Sequence, residues 1–168
     1  MTEDEHQKFL RIYLNDHLAG AAGGLELTRD LREYYKDTPV HAVLGDLMSE
    51  LEKDKRTLEL MMDRLGAEKE TGKTVAAWIA EKVGRLTIHG QTRDSDLGRL
   101  LQLEWLGTGI YAKGALWLAL MAVRDQYPEL GEFDLDKLEQ RALAQLAIVE
   151  DERVKAATKA FGRAVAHA

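Results

Sequence analysis

The chain has 168 residues, of which 45% are hydrophobic and 31% charged, so it can bury a substantial core. Its formal net charge of −6 argues against nucleic-acid binding, because such proteins present a basic face to the phosphates. Since the chain contains no cysteine, disulfides, thiolate catalysis and cysteine-ligated metal sites are excluded. We expect one domain over residues 1–168, without a signal peptide or a membrane span, in the cytoplasm.

Hydrophobic periodicity predicts two long helices in the first part of the chain. Apolar residues recur in alternating steps of four and three, which keeps one stripe of each helix facing a partner. The first helix is predicted at about residues 5–36 and the second at about 39–65. Thr38 should cap the second helix, with Pro39 at its first position and Gly66 at its end. The tight connection makes the two helices antiparallel neighbours.

Three further helices are predicted in the second part of the chain. A short one covers about residues 74–87, and two long ones cover about 95–126 and 135–166, the last capped by Asp134. The core stripe of the third long helix is predicted to include Leu97, Leu101, Glu104, Thr108, Tyr111, Ala115, Leu118 and Ala122. That of the fourth is predicted to include Leu135, Leu138, Leu143, Leu146, Glu150, Val154, Ala157 and Phe161. The fold class is therefore all-α, a four-helix bundle with an extra short helix in the crossover.

Each predicted stripe contains one ionisable residue, namely His17, Asp54, Glu104 or Glu150, and Glu50 lies one turn before Asp54. A buried charge is costly unless a partner, a proton, a metal or water compensates it. One hypothesis is a metal site formed by these five residues, whose oxygen ligands and single imidazole would suit iron or manganese. The alternative is an ion pair between His17 and Asp54, with the other carboxylates at the wet edge of the bundle.

The first helix also contains Gly20, Gly23 and Gly24 within five residues. Each glycine costs about 1 kcal/mol relative to alanine inside a helix, so this cluster needs a reason. The order of glycines does not match a phosphate-binding loop. We expect another helix to approach closely here. The alternative is a pocket for an apolar ligand, lined by Gly20, Gly24, Trp105, Tyr111 and Trp117.

The long helix pairs, the crossover in the middle of the chain and the inward acidic residues resemble the ferritin-like superfamily, over about residues 5–165. Di-iron members of that superfamily carry two Glu-x-x-His motifs on core helices. In this chain the one such motif, from Glu3 to His6, lies at the N-terminal edge, outside any stripe. On the second helix Lys53 stands three residues after Glu50, where the histidine would fall.

On the fourth helix Arg153 likewise takes the place of the histidine after Glu150, so the resemblance carries over only Glu104 and Glu150, as bundle carboxylates. It implies a ferritin-like bundle without the standard di-iron site. We therefore expect a protein that is not an enzyme, with a binding or stress-related role. Its expected partner is a second copy, a dimer formed through an apolar helix face, rather than nucleic acid or a membrane. The alternatives are a divergent carboxylate and histidine metal-binding protein or oxidoreductase, and a binder of small apolar ligands.

Overall fold

The computed structural model describes residues 2–70 and 95–162, which form four long α-helices. Between the last two helices lie two short 3-10 helices, Arg124–Gln126 and Pro128–Glu132. The described residues contain no β-strand, and each long helix overlaps its predicted range, which confirms the all-α class. The predicted helix at 74–87 and the last residues of the fourth helix lie outside the described residues. The long helices are α1 (Glu3–Tyr34), α2 (Val40–Arg64), α3 (Asp96–Val123) and α4 (Leu135–Phe161).

Side chains and one glycine define most of the helix ends. Thr2 and Glu5 form a capping box at the start of α1, where each side chain accepts a hydrogen bond from the other's backbone N–H. The side chains of Ser95 and Asp134 accept backbone hydrogen bonds and cap α3 and α4. Gly66, with a φ of 64°, follows α2 in the left-handed conformation that ends many helices. The predicted roles of Gly66 and Asp134 are thus confirmed.

The start of α2 differs from the prediction. The hydroxyl of Thr38 donates a hydrogen bond of 2.9 Å to the carbonyl oxygen of Tyr35 and does not cap α2. Pro39 occupies the N-cap position, without a side-chain hydrogen bond. The carbonyls of the last helical turn lack partners within a helix. Thr38 therefore completes the end of α1 instead of the beginning of α2.

Two hydrophobic clusters show in which direction each helix runs. One cluster joins the N-terminal halves of α1 and α4 to the C-terminal halves of α2 and α3, through residues such as Leu14, Leu138, Met61 and Leu120. The other joins the opposite halves, through residues such as Leu31, Val149, Leu47 and Leu103. Consequently α2 and α3 run in the same direction, and α2 ends at the opposite end of the bundle from the start of α3.

The layer between these two clusters has a different composition. On α1 it falls at Gly24, on α2 at Asp54, on α3 at Lys113 and on α4 at Gln145, each between residues of the first and second clusters. Small and polar residues thus replace large apolar ones at mid-height in all four helices. This layer contains the candidate site.

The predicted core stripe of α3 lies largely on the outside of the bundle. Tyr111 is 69% exposed and Leu118 is 53% exposed, whereas Trp117 is almost completely buried. This helix is apolar around most of its circumference, so periodicity cannot distinguish its inward side from its outward side. The stripe that is buried runs through Leu100, Leu103, Leu106, Ile110, Trp117 and Leu120.

The stripe of α4 is also rotated relative to the prediction. Leu143 and Val154 are exposed, and the core side consists of Leu135, Leu138, Ala142, Gln145, Val149, Glu152 and Ala156. Helices α3 and α4 approach closely, since a Cβ atom added to Gly114 would lie 3.7 Å from that of Ala142. Small residues on α4 permit this approach. The larger apolar residues, by which the stripe was predicted, lie beside the contact.

Candidate ligand-binding cavity

A cavity of about 350 Å³ lies between α1, α2 and α3 at mid-height in the bundle. Its size falls within the range of roughly 300–1,000 Å³ that is typical of small-molecule sites. Helix α1 contributes mainly glycine and alanine to the wall, and the other two helices contribute large apolar side chains. Those large side chains are Leu51 and Leu58 of α2 and Trp105, Leu106, Ile110, Leu116 and Trp117 of α3.

Glycine keeps part of this volume open. A Cβ atom built on Gly24 of α1 would meet nothing within 4 Å, and the same is true of Gly109 on α3. Both glycines line the cavity. The close approach of another helix that the sequence suggested is therefore absent at Gly24. The glycine at position 24 therefore leaves space for the cavity and does not serve tight packing against another helix.

Four of the five residues predicted to form an apolar pocket line this cavity: Gly20, Gly24, Trp105 and Trp117. The fifth, Tyr111, lies outside it on the exposed side of α3. Tyr111 is six residues from each tryptophan, which is about 240° of rotation around a helix. Tyr111 lies on the same helix as the two tryptophans, but it faces a different direction and therefore does not line the cavity.

Asp54 forms the centre of a polar network beside the cavity. Its buried carboxylate accepts hydrogen bonds from Lys113 Nζ at 2.5 Å, from Gln145 Nε2 at 3.0 Å and from Arg141. Gln145 also accepts a hydrogen bond from Lys113 and donates one of 3.1 Å to Glu50. Two carboxylates and two cations thus balance each other across α2, α3 and α4, which offsets the cost of removing them from water.

Burial lowers the pKa of two residues that line the cavity. Desolvation lowers the pKa of Lys113, although the adjacent Asp54 carboxylate acts in the opposite direction. Desolvation also lowers the pKa of His17 from its ordinary value of 6.5, against the smaller effect of Asp16. His17 is therefore neutral at neutral pH. Because folding disfavours its protonated ring, His17 reduces stability as the pH falls below 6.5.

The residues predicted to bind a metal do not come together. His17 and Asp54 line the same cavity, but Glu104 and Glu150 lie on the exposed side of the bundle, 3.6 and 2.6 Å from the guanidinium of Arg153. Within residues 2–70 and 95–162, no group of three or more His, Asp or Glu side chains could hold a metal ion. The predicted set of His17, Glu50, Asp54, Glu104 and Glu150 is therefore divided between the Asp54 network, the cavity and the surface.

Lys113, Arg141 and Gln145 are the important residues that the sequence analysis missed. Lys113 is the one charged residue in the apolar stretch from Ile110 to Val123, and this interruption was a usable signal. Gln145 falls on the core stripe of α4 only after that stripe is rotated to its observed position. The role of Arg141 could not be predicted from the sequence, because the residue lies at the edge of the core and only its long side chain reaches Asp54.

Lys113 contributes a hydrogen-bond donor to the wall of the cavity. It has three N–H groups, and its bonds to Asp54 and Gln145 use two of them. The indole N–H of Trp117 also lacks an acceptor among the described residues, but it is buried below the surface of the cavity. The Asp54 carboxylate is almost completely buried and already accepts three hydrogen bonds.

No protein-family model, no curated protein and no solved structure matches this chain. The class that the structure defines is an all-α four-helix bundle with an apolar cavity and a charged network at mid-height. Its function therefore has to be inferred from this cavity, its donor and the arrangement of the helices.

Proposed function

We propose that this protein is a ferritin-like bundle that binds a small apolar molecule in the cavity between α1, α2 and α3. The observation that carries the proposal is a mid-height cavity walled by leucine and tryptophan and held open at Gly24. Transfer of an apolar molecule from water to such walls is favourable. Apolar cavities of about 150 Å³ already suffice to bind benzene.

The directions of the helices support the ferritin-like part of the proposal. In a simple up-and-down bundle successive helices alternate in direction, whereas ferritin-like bundles have one long crossover. Here α2 and α3 run in the same direction and are separated by residues 65–95. A di-iron role lacks a corresponding donor set among the described residues.

The donor in the wall favours a ligand that carries one hydrogen-bond acceptor on an apolar body. A carbonyl oxygen of the ligand would accept the remaining hydrogen bond of Lys113. The Asp54 carboxylate is almost completely buried, so it offers no comparable acceptor to a ligand that carries only donor groups. The proposed class is therefore an apolar ketone, aldehyde, ether or ester.

The test compares Gly24→Leu with Gly24→Ala, using the fluorescence of the apolar dye 6-propionyl-2-dimethylaminonaphthalene, which carries a ketone. Both substitutions remove a glycine from α1, and the alanine variant should gain about 1 kcal/mol in stability. Only leucine extends far enough into the cavity to fill it. We expect the wild type and Gly24→Ala to bind the dye similarly, and Gly24→Leu to bind it at least about ten-fold more weakly. Equal binding by all three proteins would overturn the proposal.

A displacement series then tests the acceptor. Naphthalene and 2-acetylnaphthalene compete with the dye for the wild-type protein. After correction for their different solubilities in water, the ketone is expected to bind more tightly than naphthalene. If both compete equally well after this correction, the cavity binds apolar molecules without using the donor. If neither competes, the dye is not in the cavity and the binding function itself fails.

A further inference from the structure

Helices α3 and α4 carry a second apolar surface on the side away from the core. This surface, called the outer face below, consists of Tyr111, Ala115, Leu118 and Ala122 of α3 and Leu143 and Ala147 of α4, all of which are exposed. Between Glu104 and Arg124, over roughly five helical turns, α3 has no exposed charged side chain, because its one charged residue there, Lys113, is partly buried. Contiguous exposed apolar surfaces of this kind mark interaction sites.

The two halves of the outer face lie side by side. Glu104 of α3 and Glu150 of α4 both form ion pairs with Arg153, so they mark the same flank of the α3–α4 pair. Residues seven positions apart share one side of a helix. Tyr111 follows Glu104 by seven residues, and Leu143 precedes Glu150 by seven. Both stripes therefore extend from this flank and form one surface.

The exposed area corresponds to that of a protein interface. Tyr111 is 69% exposed, and Leu118 and Leu143 each expose slightly more than half of their surface. Together with the exposed alanines, these side chains leave on the order of 400 Å² of apolar surface in contact with solvent. A standard interface buries about 800 Å² per partner, of which roughly 60% is apolar. The outer face supplies most of that apolar area.

The pattern along α3 is self-complementary. Thr108, Tyr111, Ala115 and Leu118 are spaced by three, four and three residues, so the pattern reads the same in both directions. An antiparallel copy of α3 would place Tyr111 opposite Ala115 and Leu118 opposite Thr108, a large residue against a small one each time. Alternation of this kind fills space without gaps. We infer that the outer face binds a second copy of this chain in a symmetric dimer.

The oligomeric state of full-length variants tests this inference. Leu118→Lys introduces a charge into the outer face, and Leu60→Lys makes the same change on α2, where Leu60 is 47% exposed. In size-exclusion chromatography with light scattering, the wild type and Leu60→Lys are expected at twice the chain mass of 18.9 kDa. Leu118→Lys is expected at the mass of a single chain, because two lysines would face the apolar surface of the partner.

Cross-linking gives a second measurement, because it traps a dimer that dissociates during chromatography. Because the chain has no cysteine, a single introduced cysteine is a unique reactive position. A short bismaleimide is expected to link two copies of Ala115→Cys and not two copies of the control Ser49→Cys, which lies exposed on α2. A monomeric wild type, or a dimer unaffected by Leu118→Lys, would overturn the inference.

A membrane is the competing occupant of the same face. Residues Asp96–Gln126 form a helix that by length and composition could cross a membrane, although core helices of soluble proteins share these properties. A wild-type monomer that sediments with phosphatidylcholine vesicles, and a Leu118→Lys variant that does not, would assign the outer face to lipid. That result would likewise overturn the dimer.

Discussion

Asp54 is surrounded by a lysine from α3 and by an arginine and a glutamine from α4, so its charge is compensated inside the bundle. The apolar periodicity of α2 was sufficient to predict that Asp54 faces the core. Its partners were not predictable, because Lys113 and Arg141 lie 59 and 87 residues further along the chain. Which long side chain reaches a buried carboxylate depends on how the helices pack and on their relative rotation.

A double-mutant cycle measures how strongly Asp54 depends on Lys113. Asp54→Asn is expected to cost about 3–5 kcal/mol, because it leaves buried cations without a counter-charge. Lys113→Met should also destabilise, but the double variant should lose at least about 1 kcal/mol less than the sum of the two. Unfolding in urea at pH 7 gives these free energies. Asp46→Asn, at an exposed carboxylate of α2, is the control and should change stability by less than about 0.5 kcal/mol.

If the effects of Asp54→Asn and Lys113→Met are additive, the network does not contribute to stability as a unit.

The environment of Gly24 could be predicted only in part. The run of small residues in α1 indicated an unusual environment, but a sequence alone cannot distinguish tight packing from open space. The distinction depends on where the side chains of α3 point, and Trp105 and Trp117 point so as to wall a cavity.

At the scale of single helices, the stripes of α1 and α2 were predicted correctly. That of α4 was predicted in part, since Leu135 and Leu138 are buried, and that of α3 was wrong. Leu14, Leu31, Leu47 and Leu58 of the first pair follow the predicted spacing of four and three residues and are buried. In that pair the opposite side of each helix is rich in charged residues, so the hydrophobic contrast is clear. On α3 and α4 apolar residues occupy two sides of the helix. The side on which they follow the four-and-three spacing more regularly faces outward.

Two valines of α4 provide a matched test of its orientation. Val149 is 2% exposed, whereas Val154, which the sequence analysis placed in the core, is 52% exposed. Val149→Ala is expected to reduce the free energy of unfolding by about 2 kcal/mol, through lost burial and a new cavity. Val154→Ala should change it by less than about 0.5 kcal/mol in dilute protein.

Since both variants change the same residue type within the same helix, the difference in their effects isolates burial. Urea unfolding monitored by circular dichroism provides the comparison. A larger loss for Val154→Ala than for Val149→Ala would mean that α4 is rotated toward the position that the sequence suggested.

At the scale of the whole molecule, the long connection between α2 and α3 led to the prediction of a ferritin-like crossover, but its length alone does not determine the relative direction of these helices. A connection of that length could return beside α2 or cross to the opposite end of the bundle. The choice depends on contacts among residues far apart in the chain, such as those that join Met61 to Leu120 in one cluster. Such contacts leave no local pattern in either segment.

Distances between spin labels test the helix directions. Because the native chain has no cysteine, pairs of labels can be introduced at Arg64 with Asp125, and at Arg64 with Asp96, all of which are exposed. Parallel α2 and α3 predict a short distance for the first pair. The second pair should be separated by roughly 40 Å, since 28 residues of helix rise about that far. Double electron–electron resonance measures both, and the reverse order of distances would contradict the observed topology.

The walls of the cavity belong to two helical hairpins, α1 with α2 and α3 with α4, which are separate in sequence and meet at mid-height. A bound molecule could therefore enter and leave when the hairpins part locally, while every helix keeps its own backbone hydrogen bonds. The ion pair between Asp54 and Lys113 bridges α2 and α3 beside this opening. Arg141 and Gln145 of α4 also bind Asp54, so rates of ligand exchange would follow the lifetime of this whole network. The groups that stabilise the bundle would then also set the residence time of its ligand.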